Sequence, residues 1–375
     1  MSAAQPTPPH AGAEPNRATP RPAGHCGPGD GGPEQDGPEQ DGPEQGGHGP
    51  ERNEPVPVLL SVVVPVLHEG HRIAELAGHV RALAAELPPG AVELVVADGA
   101  PEGDTLAALK LALGEDAWRA ATGLVAADMS ATGLAPAGLL VTGGNAEEFS
   151  GTGLPVCAVA APRGRARQMN AGAAVARGEV LLFQHADTRL PDGAFPAVLR
   201  ALGVGGTAGT DGTGTAGEVE GRHADDGVSR SVVSIPAAGA FTLAIDAPGA
   251  WFRVVEALAN LRNRLTRTPY GDQAQFFRAG VFRAIGGYPD LPLMEDVEIM
   301  RRLRRRHRLH GPRGPCDTGQ PLALLDLRAV TSARRWRDEG AVRCTLRNVC
   351  LRLLYALGVP AQILARWYRA RKGAS

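Results

Sequence analysis

Leu181-Leu182-Phe183-Gln184-His185-Ala186-Asp187-Thr188 is the stretch that decides the fold of this chain. An apolar run ends abruptly in a His-x-Asp pair. Such a run reads as a buried strand of a parallel sheet. In open α/β sheets ligands sit beyond the carboxyl ends of the strands. Residues 185 and 187 are two apart, so an extended backbone turns both side chains the same way. An imidazole and a carboxylate converging at a strand end are metal-ligand chemistry, which makes His185 and Asp187 candidate ligands.

The neighbouring sequence extends the pattern. Val58–Val64 reads as a strand stopped by Pro65, followed by a helix with Ile73, Leu76, Val80, Leu83 and Leu87 at helical spacing. Val92–Ala97, Val156–Ala160 and Glu179–Phe183 read as further strands, with a helix near Gln168–Arg177. This alternation predicts an α/β fold, a single mainly parallel twisted sheet flanked by helices. Strands near Val232–Ile245, Ala274–Phe277 and Leu322–Leu327 and helices near Trp251–Leu265 and Asp296–Arg306 complete the expected domain, 58–336. Two stretches interrupt it. Residues 106–153 and 203–230 are rich in Gly, Ala and Thr and read as insertions.

The ends of the chain read differently. Residues 1–57 are Pro/Gly-rich, with three tandem Gly-Pro-Glu-Gln units, and cannot bury enough apolar surface to offset their ordering entropy; a disordered tail is expected. Residues 337–375 read as a basic helical extension broken at Gly358-Val359-Pro360. Its helices fit either a packed pair with a solvated basic face or a peripheral membrane contact with anionic lipid. The Arg301–Arg308 run reads as a solvated helix face.

Composition narrows the function. The 375 residues carry a net charge of −1, which argues against nucleic acid as a partner. Five scattered cysteines without Cys-x-x-Cys spacing argue for reduced thiols and a cytoplasmic setting. No signal peptide and no membrane-spanning run is expected, so any membrane contact would lie at the inner face of the cell membrane.

Four predicted strand ends carry polar residues that could share one pocket: His68-Glu69, Asp98, the turn from Arg163 to Asn170, and His185-Ala186-Asp187. Arginines at a helix N-terminus suit a phosphate. A carboxylate at a strand end suits a ribose or base edge, and a divalent cation could bridge the phosphates. Together they describe a nucleotide-diphosphate pocket. Met294-Glu295-Asp296 opens a predicted helix. Asp296 there suits either a general base or a helix cap.

With Ser61-Val62-Val63-Val64-Pro65, Asp98-Gly99, Gly164–Gly172, His185–Thr188, Gly271-Asp272-Gln273, Met294–Glu298 and Ser332–Trp336, the chain resembles the family 2 glycosyltransferases. It looks most like a bacterial branch associated with arsenosugar biosynthesis, and a carotenoid-acid (diaponeurosporenoate) glucosyltransferase annotation covers similar sequences. The resemblance spans about Val58 to Tyr368, minus the insertions. It implies a GT-A fold and an inverting, hexosyltransferase-type reaction from a nucleotide-diphosphate sugar donor to a small-molecule or lipid-like acceptor. By motif position it makes Asp296 the catalytic base beside Glu295. Pro65, Glu69, Asp98, Arg163, Arg167, Asn170 and Gly172, with Arg334, Arg335 and Trp336, would bind the donor. Asp187, with His185, would hold Mn²⁺ or Mg²⁺, imidazole favouring Mn²⁺.

Departures from the family pattern bear on nucleotide identity. His185 stands at the usual first Asp and His68 at a frequent Asn, and Ala100–Thr105 displaces the carboxylate that follows the second strand. Two other readings stay open: a nucleotidyltransferase, which would want a Gly-rich, Lys-containing loop after the first strand, and a non-catalytic sugar-nucleotide binder.

Overall fold

Leu60–Val66 forms β1 at the middle of the sheet, with every residue but Pro65 buried. Its side chains alternate faces as a strand's must. Leu60, Val62, Val64 and Val66 enter one apolar cluster with Ile73, Leu76, Val80 and Leu83 of α1 (Gly70–Ala84). Val63 enters the opposite cluster with Met169 of α3 (Arg165–Val175). The near-continuous apolar sequence is therefore the signature of a strand covered on both sides.

The strand runs through Pro65 instead of stopping there. The Val66 carbonyl accepts from Gly99 N–H, while the Val63 carbonyl accepts from Gln184 N–H. Odd positions of β1 thus face β5 (Val180–Phe183), whose pairing with β1 ends at Val63↔Phe183. The missing N–H of Pro65 points where no neighbouring strand needs it.

In this computed structural model, residues 57–100, 102–113, 141–142, 154–205, 235–310 and 322–370 are described. Residues 1–56 of the tail expected at 1–57, most of the insertion at 106–153, and residues 206–230 of the insertion at 203–230 lie outside them. Among the described residues nine strands form one sheet, ordered β3-β4-β2-β1-β5-β8-β7-β9-β6. Here β2 is Val92–Asp98, β3 Val141–Thr142, β4 Val156–Ala160, β6 Thr188–Arg189, β7 Ala238–Asp246, β8 Phe276–Arg278 and β9 Leu322–Ser332. The parallel pairings are β4–β2, β2–β1, β1–β5 and β7–β9; the other four are antiparallel. The remaining helices are α2 (Asp104–Leu113), α4 (Ala194–Ala201), α5 (Ala250–Thr266), α6 (Ala279–Ala284), α7 (Glu295–His310), α8 (Arg334–Glu339), α9 (Ala341–Ala356) and α10 (Ala361–Ala370).

Strand order places the site. From β1 the chain steps outward to β2 and β4, then returns to the other side of β1 as β5. The order reverses between β1 and β5, and a crevice opens beyond the carboxyl ends of strands at such a point. The antiparallel β8 beside β5 begins where β5 ends, with Phe183 N–H donating to Gln275 O. That brings the 3₁₀ turn Gly271–Gln273 to the same crevice. β9 runs beyond the expected Leu327 to Ser332, absorbing an irregularity opposite Phe241/Thr242. The Thr242 hydroxyl donates to the carbonyls of Asp326 and Leu327 there, at 3.2 and 2.9 Å. This extension delivers residues 333–336 to the site end of the sheet, with Ser332 N–H donating to Asp187 O.

The opposite end of the sheet is closed by a buried polar knot. Glu93, 1 % exposed, accepts from Ser61 Oγ at 2.5 Å, Arg177 N–H at 2.6 Å and Arg177 Nε at 2.9 Å. Ser61 Oγ in turn accepts from Gly178 N–H at 2.8 Å. Removing the carboxylate strands several buried donors at once. Glu93→Ala is expected to lower the unfolding free energy by about 3 kcal/mol, read from urea unfolding; a loss below about 0.5 kcal/mol would show that water replaces the knot.

Candidate active site

The crevice has two ends. At the first, β1 and β2 finish in carboxylates. Asp98 Oδ1 accepts from Ala100 N–H at 2.9 Å, while Oδ2 is buried and has no hydrogen-bond partner. Burial pushes the Asp98 carboxyl up, and the charges of Glu102 and Asp104 add to this against the Ala100 N–H and His68. Glu69 Oε2 is likewise buried without a hydrogen-bond partner, 3.9 Å from Arg72 Nε. Two bare carboxylate oxygens at neighbouring strand ends suit hydroxyl or N–H donors of a ligand.

The displaced carboxylate after β2 returns to this place. Asp104 opens α2, and its Oδ2 lies 2.8 Å from where a Cβ on Gly70 would stand. Glu69 N–H donates to Thr105 Oγ1 at 3.0 Å, tying the two loops. His68 has φ +56, in the left-handed region that Asn, Asp and His tolerate better than most residues.

The Arg163–Asn170 turn divides its labour in a way the sequence did not show. Arg163 is exposed. Arg167 points outward, with three hydrogen bonds to the Asp290 carboxylate at 2.8–3.0 Å. Arg165 is the arginine that reaches the crevice, pairing with Glu295 Oε1 at 3.3 Å. Two residues apart on a helix point to nearly opposite sides, so one of 165 and 167 had to turn away. Gln168 Nε2 donates to the carbonyls of Val66 and Ala97, pinning the helix onto the ends of β1 and β2. Asn170 brackets Tyr288, donating to its carbonyl at 2.8 Å and accepting from its N–H at 2.9 Å. Gly172 lies against β1: a Cβ there would stand 2.5 Å from Val63 Cγ1. Arg167, Asn170 and Gly172 are thus engaged in holding the fold, not in lining the crevice.

The second end gathers around His185. Its Nε2 is buried with no hydrogen-bond partner and lies 3.2 Å from where a Cβ on Gly271 would stand. Burial, reinforced by the charges of Arg165 and Arg335, holds the imidazole well below its usual value, so it is neutral. A neutral imidazole with a bare ring nitrogen is a metal or hydrogen-bond acceptor. The extended backbone expected from His185 to Asp187 is not what forms: Ala186 and Asp187 make a turn, with Thr188 N–H donating to His185 O at 3.0 Å, and the Asp187 carbonyl accepts from Ser332 N–H at 3.1 Å.

Asp296 sits in the first turn of α7 and crosses to the Gly271 turn. Its Oδ2 accepts from Gly271 N–H at 2.9 Å and its Oδ1 from Val297 N–H at 2.8 Å. Its backbone carbonyl accepts from Gln275 Nε2 at 3.2 Å. The carboxylate is thereby both a helix-end group and a fixed wall of the crevice. Glu295 beside it is buried and bound to Arg165, and burial raises its carboxyl. Met294, just before, has φ +68, and Ala274, just after the Gly271 turn, has φ +46. Backbone strain of this kind gathers at functional sites.

Asp272 is the residue that sequence reasoning passed over. It lies within the quoted Gly271-Asp272-Gln273 motif, whose glutamine is wholly structural. Gln273 accepts from Asn263 Nδ2 at 2.7 Å and Tyr270 N–H at 3.0 Å, and donates to Phe241 O at 3.0 Å. Asp272 keeps a buried Oδ1 without a partner. Burial, then the charge of Asp296, pushes its carboxyl up to about 6 against the pull of Arg262, Arg335 and Arg165. Beyond it, Arg262 and Arg352 both stack on the Tyr270 ring, 3.4 and 4.2 Å from its centre. A residue from α9 thus reaches the site.

Of Arg334, Arg335 and Trp336, only Arg335 is felt at His185 and Asp272. Arg334 is exposed. Trp336 meets Phe252 edge to face at 6.3 Å and belongs to the small apolar cluster beneath α5. Among the described residues, no three His, Cys, Asp or Glu converge closely enough to hold a metal ion by themselves. Of the described cysteines, Cys157 is pushed up to about 12 by burial and is no nucleophile.

No protein-family model matches the sequence, and no curated protein matches it. Solved structures similar in fold include Staphylococcus aureus TarS residues 1–349 in complex with UDP-GlcNAc, at 12 % identity and a TM-score of 0.42. That match covers 74 % of this chain and 59 % of TarS, so the chain spans about three fifths of that structure's length. Glucosyl-3-phosphoglycerate synthase from Mycobacterium tuberculosis, with Mn²⁺, UDP and glucosyl-3-phosphoglycerate, matches at 16 % identity over 81 % of each chain, TM-score 0.41. The mannosyltransferase PcManGT from Pyrobaculum calidifontis, with GDP-Man and Mn²⁺, matches at 14 % identity over 78 % of this chain and 66 % of that one, TM-score 0.40.

Two outcomes test this geometry. Gly172→Ala would ordinarily help a helix. Here the new methyl meets the fully buried Val63, so a loss of about 1–3 kcal/mol is expected in urea unfolding; a gain would show that the helix can lift. Asp272 holds its proton more tightly when folded, about 6 against about 3.9 for an unfolded Asp. Its contribution is therefore fully present below pH ~4 and is lost as pH rises through ~6. Melting temperatures across that window should fall less with rising pH in Asp272→Asn than in the parent; identical slopes would remove Asp272 as the source.

Proposed function

We propose that this chain is an inverting glycosyltransferase of the family 2, GT-A type that uses a nucleotide-diphosphate sugar. The observation that carries the reading is the pair of Asp296 and His185 held on either side of Gly271, beyond the reversal point between β1 and β5. From the motifs noted in the sequence, Arg165, His185, Asp272, Asp296 and Arg335 support the reading, being within electrostatic reach of one another there. Glu69 and Asp98 offer bare oxygens where a nucleoside would lie. Arg165 and Arg335 supply positive charge toward the His185 end, where a diphosphate would lie.

The reaction is an in-line displacement. The acceptor hydroxyl oxygen bonds to the anomeric carbon as the bond from that carbon to the diphosphate oxygen breaks. The hydroxyl proton passes to the Asp296 carboxylate, and the nucleoside diphosphate leaves with the bonding pair. Gly271 N–H and Val297 N–H keep the carboxylate aimed, so little reorganisation is needed at the moment of transfer. Glu295 acts as a positioning residue through Arg165.

A divalent metal fits the residues present. The bare Nε2 of a neutral His185 and the Asp187 carboxylate are two donors at one strand end, and Mn²⁺ accepts imidazole more readily than Mg²⁺. When bound, such an ion neutralises charge on the departing diphosphate. The acceptor is a small molecule or a lipid-like compound bearing a hydroxyl or carboxylate.

Asp296→Asn tests the reading. Asn has one oxygen where Asp296 uses two, so one of its backbone bonds is lost but the side-chain shape stays. UDP- and GDP-sugars are first screened by thermal shift with and without Mn²⁺. With the donor that binds, donor affinity should stay near the parent value while single-turnover transfer or donor hydrolysis falls by about 10²–10⁴. A parent-like rate would make Asp296 a helix cap only. Donor binding without turnover in the parent protein would make the chain a sugar-nucleotide binder.

A further inference from the structure

Three helices expose apolar stripes that the catalytic reading does not use. On α5, Trp251, Val254, Leu258, Leu261 and Leu265 are 40–75 % exposed and recur at intervals of three and four residues, which puts them on one side. The other side of α5 is satisfied: Phe252, Val255 and Ala259 pack with Leu243, Ile245 and Trp336. On α9, Val342, Leu346, Val349, Leu353 and Leu357 form a second stripe, 50–82 % exposed, while Leu351, Leu354 and Tyr355 pack with Val297 and Leu364. Ile363 and Trp367 continue the pattern on α10. The helices are neighbours, since Arg262 of α5 and Arg352 of α9 stack on the same Tyr270 ring.

Charge selects what covers these stripes. The exposed charges on and just after α5 are Arg253, Arg264 and Arg267, and its one acid, Glu256, is buried. From Gly340 to Ser375 the sequence has six arginines, one lysine and no Asp or Glu. On α5, Arg264 faces the exposed Asp326 at 3.5 Å, whereas along α9 and α10, which carry no Asp or Glu, a second copy would set guanidinium against guanidinium. An anionic bilayer satisfies both features: leucines and tryptophan rings enter the headgroup–acyl boundary, and arginines stay at the phosphates. No described helix is long and apolar enough to cross a membrane.

We infer that the outward faces of α5, α9 and α10 dock this protein on an anionic lipid surface, lying in its plane. The inference stands apart from the transferase reading, because neither stripe contributes a residue to the proposed chemistry.

Flotation of the full-length protein with phosphatidylcholine vesicles, with and without phosphatidylglycerol, tests it. Binding should require phosphatidylglycerol and weaken with salt. The double variant Leu258→Glu, Leu353→Glu should lower the bound fraction at least about tenfold, with its melting temperature unchanged. Leu111→Glu, on α2 and 86 % exposed in the parent, should float like the parent. In the parent, lipids brominated on their acyl chains should quench tryptophan emission from Trp251 and Trp367, a readout that survives if the double variant folds poorly. Absence of flotation and quenching would overturn the inference. So would a dimer in ultracentrifugation that the double variant splits while vesicle binding is unaffected.

Discussion

Gln275 is the residue on which the candidate site depends. It is fully buried just before β8, with its carbonyl and both side-chain polar atoms committed. Its carbonyl accepts from Phe183, which fixes the end of β5. Its Nε2 donates to Pro269 O and Asp296 O, at 2.9 and 3.2 Å, which fixes the loop before the Gly271 turn and the start of α7. Its Oε1 accepts from Tyr288 OH at 2.8 Å, and Tyr288 is in turn bracketed by Asn170 of α3. One residue thus joins the end of β5, through its carbonyl, to Pro269, Tyr288 and the start of α7, through its side-chain amide. A buried amide must be satisfied at every atom, so those segments have one arrangement, and that arrangement holds His185 and Asp296 about Gly271.

The electrostatics follow from this enforced closeness. Asp272, Glu295 and Asp296 are brought together with Asp187 near by, and burial raises the first two. Four arginines answer them: Arg165, Arg262, Arg335 and Arg352. Burial, reinforced by Arg165 and Arg335, depresses His185, so the site carries its basic nitrogen in neutral form. Acids and cations are matched before any ligand arrives.

Much of this was legible in the sequence because strands covered on both faces leave a plain apolar signature. Val156–Ala160 matched its predicted limits, and β1, β2 and β5 shifted by a residue or two. His185, Asp187, Asp98 and Asp296 were visible because each stands where an apolar run or helix begins or ends. What stayed hidden depends on rotation or on tertiary bonding. The choice of Arg165 over Arg167 turns on helix phase, which a boundary uncertain by one or two residues cannot give. Asp272 looked no different from Gln273 until the glutamine's three hydrogen bonds showed it to be structural. Pro65 read as a stop, since nothing local says that β5 ends opposite Val63. Arg352, more than fifty residues past α7's start, became a site neighbour only through Tyr270.

The same tertiary link explains why the C-terminal helices belong with the rest of the chain. Tyr270 precedes the Gly271 turn, and its ring is held between guanidinium groups from α5 and α9. α9 is further tied to α7, with Tyr355 OH donating to Glu298 Oε2 at 3.2 Å and Arg301 stacked on the Tyr355 ring at 4.8 Å. The helix that opens with Asp296 is therefore braced on its outer side by the element bearing an exposed apolar stripe. Any force that seats α9 acts on α7 through these contacts and on the Gly271 turn through Tyr270.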